Sequence, residues 1–260
     1  FTRDLISLSK EQHLIMSLEN NSSMNAQFIG LGVGPGDPEL ITLKAHRLMQ
    51  NADVVSYLAN EQGSSQARDI AQHSLEGSKA GQIEIPVPMP MKNDRTGANL
   101  AYDLAADKIR TVIAEGKKVV FLCEGDPLFF GSFSYLLDRL QDEMTCAVVP
   151  GISSVHAASS ALKLPLSMLT ESVAIINGRH SDEKIRQTLQ QHDSVIIMKA
   201  GPYRPKILAA LADTGRSEEA NYLEYIGRDE QIIIDDVSEL NDEKGPYFSL
   251  FVVLKNERER

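Results

Sequence analysis

The chain has 260 residues, 42% of them hydrophobic and 24% charged, a composition that suits a globular protein of one large or two modest domains. Its 36 acidic residues outnumber 26 basic ones, for a net charge of −10. That excludes a general nucleic-acid binder, which needs a basic face to displace counterions.

No run of about 18 apolar residues is present, so no helix is expected to cross a membrane, and the chain reads as cytoplasmic. Residues 1–23 lack the basic start and apolar core of a signal peptide and read as an upstream extension, expected to be disordered, because Met24 lies directly before the first strand. Gln27–Val33 (QFIGLGV) is a β run ending in glycines, and the spacing of Leu40, Leu43, Ala45, Leu48 and Met49 predicts a helix over Glu39–Asn51, opened by Asp37-Pro38. Asp53–Leu58 follows as a strand, then helices over 64–76 and 98–115, the latter carried by Leu100, Leu104, Ile109, Val112 and Ile113. Lys118–Cys123 reads as a central strand from its continuous apolar content, Phe129–Leu140 as a helix, Cys146–Val149 as a strand and Ser153–Leu162 as a helix. Cys123 and Cys146 both sit in apolar runs (VVFLCEG, MTCAVVP) and read as buried thiols; they match no metal-ligand spacing.

Pro165-Leu166 marks a break. The boundary is therefore placed at 160–170, giving an N-terminal α/β domain over 24–163 and a C-terminal one over 164–260. Beyond it the pattern predicts strands near 172–176, 194–198, 221–225, 231–235 and 247–254, with helices near 181–191 and 203–213. The fold class is α/β: a mostly parallel sheet in the first domain and a mixed sheet in the second.

Small residues recur just after strands, where open α/β sheets bind ligands: Gly34-Pro35-Gly36-Asp37-Pro38, Gly125-Asp126-Pro127, Pro150-Gly151-Ile152-Ser153-Ser154, Asn177-Gly178-Arg179 and Lys199-Ala200-Gly201-Pro202. Glycine lets backbone approach a ligand and proline stiffens the loop that presents it. The first loop is neither a nucleotide P-loop, since Asp37-Pro38 stands where Gly-Lys-Ser/Thr would be, nor a dinucleotide fingerprint, since Pro35 breaks the third turn. An acidic, stiff loop suits a ligand that is not a polyphosphate, and a cationic sulfonium cofactor is one candidate.

Taken in order, GVGPGDPELITLKA, EGDPLFFGSFSYL (124–136), PGISS (150–154), MKAG (198–201) and EYIGRDEQ (224–231) resemble the motifs of the tetrapyrrole (corrin/porphyrin) methylases over about residues 26–255. The resemblance implies a two-domain fold with its active site in the cleft between the domains, S-adenosylmethionine as cofactor, a tetrapyrrole as substrate, and a homodimer. IPVPMPM (85–91) and VIIMK add a likeness to the branch that methylates C20 of precorrin-2, with or without cobalt, in cobalamin biosynthesis. Other branches, the uroporphyrinogen methylases and diphthine synthase, are the alternatives, and a non-catalytic tetrapyrrole carrier is a third. Carried over by position, the cofactor site involves Pro35, the backbone of Glu124, Gly125 and Asp126, then Phe129, Ser153, Ser154, Met198 and Gly227. The arginine that uroporphyrinogen methylases carry after the central glycine is replaced here by Ser132 and Phe133, so no base is assigned, and no resident metal is expected.

Asp37 and Asp126 either cap the turns that follow them or meet ligand, Asp37 then on the substrate side. His156 reads as a packed core residue or a base. Lys44, Arg47, Lys92, Arg95, Arg179, His180 and Lys199 are solvated surface or partners for the macrocycle's carboxylates, Arg179 and Lys199 being favoured by their places after strand ends. IPVPMPM either walls a flat macrocycle or is a stiff loop.

Overall fold

The computed structural model describes residues 25–90 and 95–256, so the expected extension at 1–23 and Lys92 lie outside the described residues, as does the side chain of Arg95. The chain divides into two compact units between Ser153 and Ser154, upstream of the expected 160–170 boundary.

The first unit holds β1 (Phe28–Gly32), β2 (Val54–Ala59), β3 (Ile83–Pro88), β4 (Val119–Cys123) and β5 (Cys146–Val149) in one sheet of order β3-β2-β4-β1-β5. Every pairing in it is parallel. Helices α1 (Leu43–Asn51), α2 (Gln66–Ile70), α3 (Gln72–Leu75), α4 (Arg95–Ala114) and α5 (Phe133–Leu140) complete it. Alternate residues of β1 enter different cores: Ile29 and Leu31 join Ala45, Leu48 and Met49 of α1, while Phe28 joins Phe121, Phe133 and the Tyr102, Ala105 and Ile109 face of α4. A sheet covered on both faces is why its central strands read as unbroken apolar runs.

Three local expectations need correcting. The helix expected over Glu39–Asn51 is split: Asp37 caps a 3-10 turn at Pro38–Leu40, accepting from the Glu39 amide at 2.8 Å. The α-helix starts only after Thr42, whose hydroxyl accepts from the Ala45 amide at 3.2 Å. Ile41 and Thr42 are extended (ψ 129° and 144°), which separates the two. Leu100 and Leu104 do not join the buried stripe of α4. They are 59% and 55% exposed, because two residues before or after Tyr102 is about 200° around the helix. Most of IPVPMPM is a strand rather than a loop: Pro86 and Pro88 are tolerated because β3 is the sheet's edge, pairing with β2 alone.

The second unit holds α6 (Ser154–Leu162), β6 (Val173–Asn177), α7 (Asp182–Gln191), β7 (Ser194–Met198), α8 (Arg204–Asp213), β8 (Ala220–Glu224), β9 (Ile232–Ile234) and β10 (Ser249–Leu254). Its sheet has the order β6-β7-β10-β8-β9. β6 and β7 are parallel, whereas β10 runs antiparallel to both neighbours, pairing Leu250 with Met198 and Ser249 with Glu224. The start of β10 therefore lies beside the carboxyl ends of β7 and β8. Ile185, Leu189, Val195, Ile197, Ile207, Leu211, Tyr222 and Phe251 form the core here. His156 is exposed rather than packed in the core: Val155 and Ala158 share the buried face of α6, and His156 lies off it. Among the described residues no helix is long and apolar enough to cross a membrane.

Candidate functional site

In the first unit the loops after β4, β1 and β5 leave one sheet edge side by side, since these strands are neighbours and parallel. The backbone knits them together. The Val33 amide donates to the Cys123 carbonyl at 2.9 Å, and the Gly125 amide donates to the Gly34 carbonyl at 2.8 Å. Gly32 and Gly151 meet so closely that a Cβ on Gly32 would lie 2.5 Å from the Gly151 Cα, and one on Gly151 would lie 2.1 Å from the Gly125 carbonyl oxygen. These two glycines are packing requirements.

Gly125 differs from them. Its φ of +64° needs glycine, yet a Cβ there would come no nearer than 3.7 Å to the Ser153 Cα. A side chain there would meet only the Ser153 Cα and the Ile152 carbonyl oxygen, at ordinary contact distance.

Asp126 spends both carboxylate oxygens on the loops, accepting from the Leu128 amide at 2.9 Å and from the Gly151 amide at 3.1 Å. Capping is what its side chain does in this structure, as it is for Asp37. Pro35 and Ser153 are buried, Phe129 is partly buried, and Glu124 is exposed. Phe130, which the sequence reading passed over, is 43% exposed, holds φ at 54°, and meets the Phe129 ring edge-on at 5.1 Å. Its signal in the sequence was three bulky apolar residues (Leu128-Phe129-Phe130) directly after a turn. The Cys123 thiol is no nucleophile: burial, with Glu124 and Asp126 nearby, pushes its pKa far up. Burial also raises that of Cys146, which is only partly buried, not fully as expected.

The second unit places its own loops at the carboxyl ends of β6, β7 and β8. Asn177 accepts from the Arg179 amide at 2.9 Å, and the Gly178 amide donates to the Met198 carbonyl at 2.9 Å, joining the first two ends. Met198 and Ser154 are partly buried, and the Arg179 side chain is exposed. Lys199 stands at φ 54° with its ammonium 5.5 Å from the centre of the Tyr247 ring. Gly227 holds φ at +79° in the turn after β8, which Tyr225 enters at φ 51°.

Among the described residues, Phe130, Lys199 and Tyr225 are three of the five non-glycine residues with positive φ; Lys199 and Tyr225 directly follow strand ends, and Phe130 lies in the loop after β4. Such backbone costs on the order of 1–3 kcal/mol per residue and persists where the surroundings enforce it, commonly at binding sites. Among the described residues no group of three or more His, Cys, Asp or Glu side chains is placed to hold a metal.

Residues 27–241 match the profile of the Tetrapyrrole (Corrin/Porphyrin) Methylases. A precorrin-2 C(20)-methyltransferase from Sinorhizobium sp. is 34% identical over 235 residues, covering 87% of this chain and 94% of that protein. A cobalt-precorrin-2 C(20)-methyltransferase from Salmonella typhimurium is 31% identical, covering 89% of this chain and 98% of its own length. Among solved structures, the uroporphyrin-III C-methyl transferase of Thermus thermophilus complexed with S-adenosyl homocysteine superposes with a TM-score of 0.61 at 22% identity, covering 88% of this chain and 97% of that one. With the order of its motifs, its strand-end glycine loops and a match across most of its length, the chain belongs to the tetrapyrrole (corrin/porphyrin) methylases.

Proposed function

We propose that the chain is an S-adenosylmethionine-dependent C-methyltransferase acting on C20 of precorrin-2, metal-free or carrying cobalt, in cobalamin biosynthesis. The observation that carries this reading is a likeness spanning nearly the full length of two C20-methylating relatives at 34% and 31% identity. A homodimer and a cytoplasmic setting belong to the same reading and come from the family resemblance.

The first unit's loops fit the cofactor. A Cβ on Gly125 would meet only backbone atoms of Ile152 and Ser153, and those at ordinary contact distance. Neutral amides and carbonyls can read an adenosine and an amino-acid moiety without repelling a sulfonium, as a lysine-tipped P-loop would. Bound there, S-adenosylmethionine supplies an electrophilic methyl group for an electron-rich carbon. Pro35, Glu124, Gly125, Asp126, Phe129, Ser153, Ser154, Met198 and Gly227 form the proposed cofactor set, with the Asp126 side chain holding loop geometry through Leu128 and Gly151. Arg179 and Lys199 are assigned to the carboxylates of the macrocycle.

C20 belongs to an enamine-like system and is itself the nucleophile, so the protein needs no covalent intermediate. Its contribution is to hold two reactants aligned and to keep water out. Alignment alone can supply up to about 7–11 kcal/mol in favourable intramolecular systems.

The test is mass spectrometry of precorrin-2 incubated with the protein and S-adenosylmethionine. One added methyl group, located at C20, is the expected result. A methyl group at another carbon overturns the regiochemistry, and a bound but unmethylated ring overturns the enzyme reading in favour of a carrier.

A further inference from the structure

The turn after β8 holds an arginine that the cofactor and substrate assignments leave unused. Arg228 lies with its guanidinium carbon 4.2 Å from the centre of the Phe248 ring and 5.9 Å from that of Tyr225. Its Nε and one terminal nitrogen are buried without any hydrogen-bond partner. Its sequence neighbours Asp229 and Glu230 are both exposed.

Two other enclosed guanidiniums among the described residues have acceptors. Arg216 donates to the carbonyls of Leu189, His192 and Asp193 at 2.7–2.8 Å, and Arg204 donates to the Glu243 carbonyl at 2.6 Å beside Glu224 at 3.8 Å. Among the described residues, Arg228 is the arginine whose buried nitrogens are left without a partner. A buried cationic donor without an acceptor is costly, whereas a planar guanidinium is built to take a carboxylate in two-pronged fashion.

The turn holds the arginine in place. Its own amide donates to the Tyr225 carbonyl at 3.0 Å, its carbonyl accepts from the Gln231 amide at 3.0 Å, and the Gln231 side chain accepts from the Gly227 amide at 2.9 Å. Because β10 is antiparallel between β7 and β8, Tyr247 and Phe248 sit at the carboxyl ends of both. Lys199 lies over the first ring and Arg228 over the second. Two cations laid on adjacent aromatic rings at one sheet edge, in a chain of net charge −10, make a local site for an anion.

We propose that Arg228 binds a ligand carboxylate at the end of β8. This rests on the methyltransferase reading, which brings two sources of that group: the amino-acid end of the cofactor and the acid side chains of the macrocycle. The experiment is calorimetric titration of wild type, Arg228→Gln and Arg228→Lys with three probes. These are S-adenosylhomocysteine, 5′-methylthioadenosine (which lacks the carboxylate) and sirohydrochlorin, the oxidised form of precorrin-2.

In both variants, binding weakened about 10- to 100-fold for S-adenosylhomocysteine but not for methylthioadenosine assigns the carboxylate to the cofactor. The same loss for sirohydrochlorin alone assigns it to the macrocycle. Either supports the proposal when the melting temperature of Arg228→Gln is unchanged or raised, as removal of an unpaired buried donor requires. Unchanged affinity for both carboxylate ligands, or a lowered melting temperature with affinities intact, overturns it and leaves Arg228 a packing residue. A wild type that binds none of the probes overturns the methyltransferase reading as well.

Discussion

Gly125→Ala separates a glycine kept for ligand space from one kept for packing. The added methyl group would lie 3.7 Å from the Ser153 Cα and 3.9 Å from the Ile152 carbonyl oxygen, an ordinary contact distance, so nothing in the protein must move. What the variant does pay is the left-handed backbone, about 1–2 kcal/mol for a residue with a Cβ. At roughly 2–4 °C per kcal/mol for a chain of this size, that lowers Tm by roughly 2–8 °C. Wild type in S-adenosylhomocysteine at about 100 times Kd gains about 2.7 kcal/mol by mass action, a shift of roughly 5–11 °C. In Gly125→Ala the ligand-dependent part should vanish while the modest basal loss remains, and a thermal melt with and without ligand reads both. Gly125→Val should behave alike with a larger basal loss, since a β-branched residue tolerates positive φ poorly. Gly151→Ala is the contrasting case: its Cβ would lie 2.1 Å from the Gly125 carbonyl oxygen and 2.7 Å from the Gly32 Cα, so the loop junction itself should fail and little folded protein should be recovered. A full ligand-induced shift in folded Gly125→Ala would refute the placement of the cofactor.

Arg179→Ala and Lys199→Ala should each raise KM for the tetrapyrrole about ten-fold, the loss of one charge-assisted hydrogen bond, while S-adenosylhomocysteine affinity stays unchanged; steady-state kinetics showing an unaltered KM in both would make them plain surface charges. Asp53 bears on stability instead. Its carboxylate accepts from the Lys118 amide at 2.7 Å and pairs with Lys79, and these hold its pKa below the ordinary 3.8. A depressed carboxyl stabilises the fold above its unfolded pKa and loses that contribution as pH falls through the lowered value. Asp53→Asn should therefore flatten the acid limb of the stability profile below about pH 4 and leave the shape above about pH 6 unaltered, as urea titrations across pH would show.

Much of the first unit was legible because its strands are covered on both faces and its loops carry turn chemistry: β1, β2, β4 and β5 fall within a residue or two of the apolar runs that announced them. Where the reading failed, a local rule met a tertiary one. Proline at positions 86 and 88 argued for a loop, yet an edge strand has no second neighbour to serve. Leu100 and Leu104 counted toward a helical stripe that the protein turns the other way. The helix expected from Phe129 begins at Phe133, because the preceding residues form the turn that presents Phe129 and Phe130.

The setting of Arg228 is the least legible in the sequence, and the reason is topological. Nothing in EYIGRDEQ says that its arginine will rest on a ring twenty residues downstream, any more than MKAG says that its lysine will lie over the ring just before that one. Both pairings follow from one event, the insertion of the last strand antiparallel between β7 and β8, which carries the consecutive Tyr247 and Phe248 to the carboxyl ends of both neighbours. Residues from two separate motifs and from just before the last strand thereby become one cationic edge in an acidic protein. A polycarboxylate cannot be drawn to such a protein by its overall field, so recognition has to rest on a patch of this kind. In the proposed role the phenylalanine would serve it by packing against the guanidinium and desolvating it, where a carboxylate gains most from a fixed pair of donors.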